Sequence, residues 1–270
     1  MKSLKFKIVV LLLFGFTLVG IVHADNRFVF YPGIMYFDYE ETGDDGSFLN
    51  GETGPVPGVT VALEHRFNPE VTGVVFGGIY TGTVDYDGQT QAGSPFQTDT
   101  QADFFTLGVA AQFPIKYFDN EISLIVDYTY MRWERDIQSR GLVSGLYEVY
   151  QWQELFIGAQ FFFVEELKGR WSLFGGVFQT RNSEIEIDLV SDGYGKPRLS
   201  LGSDTGFELG AQWMEVNNKS NYGFRVSYKN WKFGRSANEI SSGNGGSITI
   251  YEPKSETANI FFELIAVSPF

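Results

Sequence analysis

The amino-acid sequence predicts an all-β fold: a single antiparallel, ten-stranded transmembrane β-barrel with long extracellular loops and short periplasmic turns. Three observations point to it. After Asp25 the apolar residues recur at every second position, the period of a strand rather than of a helix. Ten such segments follow one another, an even number, and their connections alternate between short and long. After the N-terminal stretch no apolar run is long enough for a spanning helix, so a membrane crossing has to be made by a closed sheet, which satisfies its own backbone groups in lipid.

The chain opens with M-K-S-L-K-F-K, continues through an apolar stretch from Ile8 to Val22, and reaches the small residue Ala24 just before Asp25. These are the parts of a secretory signal, so residues 1–24 are expected to be cleaved and residues 25–270 to form the barrel domain. The strand-like segments cover 27–41, 55–67, 71–87, 102–114, 121–137, 148–164, 171–190, 203–216, 221–236 and 256–268. Short connections are N-P-E (68–70), K-Y-F-D-N (116–120), E-E-L-K-G-R (165–170) and N-N-K-S (217–220). Long ones run through 42–54, 88–101, 138–147, 191–202 and 237–255 and are rich in Gly, Ser, Asp and Asn. A bacterial outer-membrane barrel sorts its connections in this way, with the short turns in the periplasm; a soluble sandwich has no reason to.

Strand parity assigns the faces. In the fifth segment Ile122, Leu124, Val126, Tyr128 and Tyr130 share the lipid face and Ser123, Asp127 and Thr129 the lumen. In the ninth, Tyr222, Phe224, Val226 and Tyr228 oppose Arg225, Ser227 and Lys229. In the third, Val74, Phe76, Tyr80 and Val84 are read as lipid-facing, which turns Thr81, Thr83, Asp85 and Asp87 inward. In the seventh, Glu184, Glu186 and Asp188 are read as inward and Ile185 and Ile187 as outward, so the upper lumen is expected to be acidic. Glu64, Asp127, Glu154, Glu208 and Glu263 are expected to interlock with Arg66, Arg225 and Lys229 across the lumen, since buried charges need partners. Phe67, Phe113, Phe163, Trp171 and Tyr222, near segment ends, fit an interfacial aromatic girdle.

Composition narrows the partners. Loss of the leader removes Lys2, Lys5 and Lys7 and no acids, so 20 basic residues become 17 against 33 acidic ones and the net charge moves from −13 to −16. Such a chain does not seek nucleic acid. It has no cysteine, which excludes disulfides and thiolate metal sites, and no cofactor is expected. The expected partners are outer-membrane lipid and lipopolysaccharide, with Arg181 on the outward face of the seventh segment placed to meet phosphate. The closing segment A-N-I-F-F-E-L-I-A-V-S-P-F alternates to Phe270 and resembles the C-terminal signal read by the barrel assembly machinery, with Pro269 as a departure. A monomer is expected.

Two motifs at the outer ends carry a resemblance. T-V-D-Y-D-G (83–88) follows the third segment and S-D-G-Y-G-K-P (191–197) the seventh. With ten strands and this loop order, the chain resembles the omptins, outer-membrane aspartic-type endopeptidases known for an Asp-x-Asp pair after the third strand and an Asp-x-His pair after the seventh, with water activated between them. The resemblance implies Asp85, Asp87 and Asp192 as candidate catalytic residues, with Tyr194 where the histidine should be. Tyrosine's ordinary pKa of about 10 leaves it protonated at neutral pH and unfit as that base. After the leader the only histidine is His65, in L-E-H-R-F at the inner end of the second segment, a barrel length away. The same gap argues against phospholipases and lipid A deacylases, which resemble each other in pairing serine with histidine. Asp85, Asp87, Glu186 and Asp192 could hold calcium, but their spacing matches no calcium loop, and no metal is expected.

The expectation is therefore an omptin-like outer-membrane barrel without standard peptidase activity, acting in adhesion, ligand binding or envelope integrity. An endopeptidase with an altered site is the alternative. A narrow channel comes third, because small barrels are commonly filled by their own side chains.

Overall fold

Alternating residues become strands when each backbone group finds a partner in the next strand, and a ring achieves this with no edge left over. In the computed structural model, which describes residues 26–90, 93–117, 120–166, 169–215, 221–243 and 246–269, ten long strands close in this way. They are β1 (Asn26–Thr42), β2 (Phe48–Asn68), β3 (Val71–Gln89), β4 (Pro95–Tyr117), β5 (Asn120–Ile137), β6 (Leu146–Glu166) and β7 (Gly169–Asp188), followed after the short β8 (Arg198–Ser200) by β9 (Thr205–Glu215) and β10 (Asn221–Phe233). A hairpin of β11 (Glu239–Gly243) and β12 (Gly246–Ile250) precedes the last long strand, β13 (Lys254–Pro269). Each long strand pairs antiparallel with the next, β6 pairs with β7, and β1 pairs with β13 from Arg27↔Pro269 to Thr42↔Lys254, which closes the ring. The leader (1–24), the N-N-K-S turn and Phe270 lie outside the described residues.

The ten expected segments each appear, with longer hairpins than expected. β2 starts at Phe48 and β4 at Pro95, so stretches read as loops are strands standing beyond the apolar zone. F-Q-T-D-T-Q-A-D carries no apolar alternation to reveal it, yet pairs residue for residue with β3.

The outer wall carries an apolar belt. Val75 and Ile79 on β3, Leu124 and Val126 on β5, Leu173 and Val177 on β7, and Phe262 and Leu264 on β13 are all exposed large hydrophobics. Fully formed strands that leave such rows uncovered have the surface a hydrocarbon solvent requires. Phe67, Phe113, Trp171 and Tyr222 are exposed at the short-turn rim, as a girdle demands, whereas Phe163 is half-buried. His65 lies at that rim, hydrogen-bonded to Asn26 at 2.7 Å and edge-on to Phe67.

Two parity readings are corrected. On β3, Val74, Tyr80 and Val84 are buried in the lumen while Val75 and Ile79 face out, so Thr81, Thr83, Asp85 and Asp87 lie on the outer wall. The lumen is itself apolar and aromatic, so apolarity alone does not distinguish lipid from lumen. On β7 the outward row runs through Trp171, Leu173, Val177 and Arg181 until Asn182 takes a left-handed φ of 49° and the register with β6 shifts between Gln151 and Gln153. A bulge adds one residue to one strand and inverts the faces beyond it. Ile185 and Ile187 are therefore buried, and Glu184, Glu186 and Asp188 face outward. Arg66 also departs from expectation: it is exposed and hydrogen-bonds the Asn68 and Pro69 carbonyls at the turn. Of the other expected lumen charges, Lys229 reaches Glu154 on β6 across the lumen at 2.6 Å, Arg225 pairs at 2.7 Å with Glu263, its neighbour in register on the adjacent strand, and among the described residues no ion pair joins Glu64, Asp127 or Glu208.

Candidate functional site at the long-loop rim

The long connections gather at one rim, and the aromatic residues below them fill the barrel. Phe37 packs on Trp133 at 5.2 Å, Trp133 on Tyr150 at 4.6 Å and Trp152 on Trp231 at 5.8 Å between ring centres. β1 and β6 are five strands apart in either direction round the ring, yet the hydroxyls of Tyr39 and Tyr150 meet at 3.2 Å. The lumen is thus bridged from wall to wall at this level.

Beside that bridge lies a cluster that the sequence reading missed. Arg135 on β5, 2% exposed, donates from Nε to Glu52 Oε1 at 2.8 Å and from Nη1 to Glu41 Oε1 at 3.0 Å and Glu148 Oε2 at 2.7 Å. Its Nη2 donates to Asn50 Oδ1 at 3.1 Å, and its guanidinium lies over the Tyr39 ring at 5.0 Å. Glu252, between β12 and β13, shares a hydrogen bond of 2.5 Å with the Tyr150 hydroxyl, and burial together with the Glu41 and Glu148 carboxylates pushes its pKa well above the ordinary value. An acidic outer lumen therefore exists, but Glu41, Glu52, Glu148 and Glu252 form it. A signal was available: Arg135 shares strand parity with Asp127 and Thr129, already assigned inward.

The candidate catalytic residues are split between two walls. Asp85 and Asp87 are exposed on the outer face of β3, with Asp85 directly opposite Asp99 in register and Asp87 accepting weakly from Gln97 at 3.4 Å. They line an open cavity of ≈ 670 Å³ with Gln97, Asp99, Gln138 and Arg140. Asp192 and Tyr194 belong to the turn after β7, where both backbone N–H groups donate to the Leu189 carbonyl. Asp192 is exposed; Tyr194 is half-buried against the aromatic core, and its carbonyl accepts from Ser241 Oγ at 2.6 Å. β4, β5 and β6 separate the two walls, and no hydrogen bond or ion pair joins the two pairs among the described residues. Asp85 and Asp87 share one wall and Asp192 and Tyr194 one turn, but the two pairs are not brought together. Arg181 is exposed on the outer wall as expected, donating from Nη2 to Gln179 at 3.4 Å. Among the described residues no group of three or more His, Cys, Asp or Glu is arranged to hold a metal ion.

A groove of ≈ 480 Å³ also lies on the outer wall of β1, β10 and β13, lined by residues that include Asp38, Glu40, Asp204, Lys232, Lys254 and Glu256. Its charges are mixed, and Lys232 bridges Glu256 at 2.9 Å.

No protein-family model matches the chain, and no curated protein sequence does. Among solved structures it is similar to the crystal structure of the outer membrane protease OmpT from Escherichia coli, with a TM-score of 0.65 at 8% identity over 93% of this chain and 99% of that one. The transport unit of the autotransporter AIDA-I from Escherichia coli matches with a TM-score of 0.48 at 8% identity, over 93% of this chain and 92% of that one. The translocator domain of the autotransporter NalP from Neisseria meningitidis matches with a TM-score of 0.41 at 10% identity, over 98% of each chain. At these identities the likeness is one of fold: this chain has an outer-membrane-type closed barrel, and OmpT shares its overall shape.

Proposed function

We propose that the chain is an outer-membrane barrel, exported by its 1–24 leader, with a surface role in ligand binding, adhesion or envelope integrity and without omptin-type peptidase activity. One observation carries the second half of this reading. A hydrolytic water needs a base and its carboxylates around one point, whereas Asp85 and Asp87 face outward from a wall three strands away from Asp192 and Tyr194, and the lumen between is filled. The bridged lumen argues in the same way against a channel. The exposed apolar belt supports membrane insertion, with the long-loop rim outside the cell. Arg181, beyond that belt, would meet lipopolysaccharide phosphate there.

The test is a cleavage assay of refolded protein with lipopolysaccharide against Arg- and Lys-rich peptides, the substrates an acidic surface would attract. No cleavage is expected from the native chain or from Tyr194→His. Cleavage that disappears in Asp85→Ala or Asp87→Ala would overturn the reading in favour of an endopeptidase with an altered site.

A further inference from the structure

Glu252 sits among more oxygen contacts than the phenols around it can supply with hydrogens. It belongs to Tyr251–Pro253, which join β12 to β13, and it is 3% exposed. Its Oε1 lies 2.5 Å from the Tyr150 hydroxyl, that hydroxyl 3.2 Å from the Tyr39 hydroxyl, and the latter 2.8 Å from Glu41 Oε1. Three consecutive oxygen–oxygen contacts need three hydrogens, and the two phenols carry one each. A carboxyl has to supply the third. Glu41 already accepts from Arg135 Nη1 on Oε1 and from Asn50 Nδ2 on Oε2, so both of its oxygens serve as acceptors. Glu252 has no ion-pair partner among the described residues, so the proton belongs on its carboxyl.

The backbone of Glu252 ties the whole connection together. Its N–H donates to Ser236 Oγ at 2.8 Å, and its carbonyl accepts from the Ser236 N–H at 3.0 Å. The β11–β12 hairpin between these two points lays Ile248 and Ile250 against the aromatic core. We propose that the protonated Glu252 is a latch that holds this hairpin over the mouth of the barrel, and that ionisation of Glu252 releases it.

The surrounding charges set the direction. Facing Glu252 are Tyr39 and Glu41 from β1, Arg135 from β5, and Glu148 and Tyr150 from β6, with Glu52 from β2 on Arg135. Arg235, in the connection after β10, is stacked on Tyr251 at 4.0 Å and paired with Asp44 at 3.4 Å. A single guanidinium already serves three carboxylates, and a fourth ionised group there is met by repulsion. The closed hairpin raises the Glu252 pKa above the ordinary 4.5, so closure binds the proton more tightly than opening does. Closure is complete below the ordinary value and is lost as pH rises through the raised one.

Hydrogen exchange of the full chain, refolded in detergent and corrected for intrinsic rates, tests this between pH 5 and pH 9. Each unit of pKa difference corresponds to a tenfold change in the opening constant. The hairpin is therefore expected to exchange at least about tenfold faster at the upper end, with the strand amides of the apolar belt unchanged. Glu252→Gln keeps a donor for Tyr150 and cannot ionise, so its hairpin should stay slow throughout. A pH-independent native hairpin, a variant that follows the native curve, or belt amides that accelerate together with the hairpin would each overturn the latch. If Glu252→Gln does not fold, Glu148→Gln removes one repelling neighbour and lowers the closed-state pKa of Glu252, so the acceleration between pH 5 and pH 9 should be smaller than in the native chain; an unchanged or larger acceleration would also overturn it.

Discussion

Arg135→Met removes the only cation from the buried cluster while keeping much of the side chain's length. Glu41, Glu52 and Glu148 then lose ion pairs of 3.0, 2.8 and 2.7 Å and stay buried. Removing one partner of a buried pair costs about 3–5 kcal/mol. The variant should therefore be less stable by about 3–5 kcal/mol at pH 7. In the variant the carboxylate pKa values of the folded state are raised, so its stability is present below pH 4.5 and is lost as pH rises; the deficit should shrink markedly at pH 4.5. Denaturant titration of the refolded protein in micelles, followed by tryptophan fluorescence at both pH values, measures this. A deficit under about 1 kcal/mol at pH 7, or an equal deficit at both pH values, would refute the electrostatic account.

Trp152→Ala, at a site 1% exposed where the indole N–H also donates to Glu154 at 2.9 Å, should cost about 3–5 kcal/mol in the same titration. Asn182→Val forces a β-branched residue into the left-handed conformation of the β7 bulge and should cost about 1–2 kcal/mol, whereas Asn182→Gly should cost less; equal effects would show that the bulge does not depend on that conformation.

Much of the barrel was legible because strand period and loop sorting are local properties. β5 and β10 were assigned correctly to both faces, since each sets apolar residues against charges: Leu124 and Val126 against Asp127, Phe224 and Val226 against Arg225. β3 offered apolar residues on both faces of its lower half, Val74 and Phe76 against Val75 and Ile79, and parity alone could not choose between them. The β7 inversion rests on one backbone angle at Asn182, which no apolar pattern reports. The Arg135 cluster was hidden for a different reason. Its partners Glu52 and Glu41 lie 83 and 94 residues earlier in the chain, and only closure of the ring brings them within reach. The aspartate motif was read correctly as a rim feature, but its side chains turn away from the lumen because β3 carries Tyr80, Val84 and Tyr86 inward instead.

A ring of strands alone is a hoop, easily squeezed into an oval. The hydroxyl contact between Tyr39 and Tyr150 makes a spoke of it, fastening opposite sides at one height. Lateral pressure from the surrounding bilayer would therefore deform the end near Asn26 and Pro269 before the end that carries the hairpin. The outer cross-section would stay round whatever the thickness of the leaflet around it.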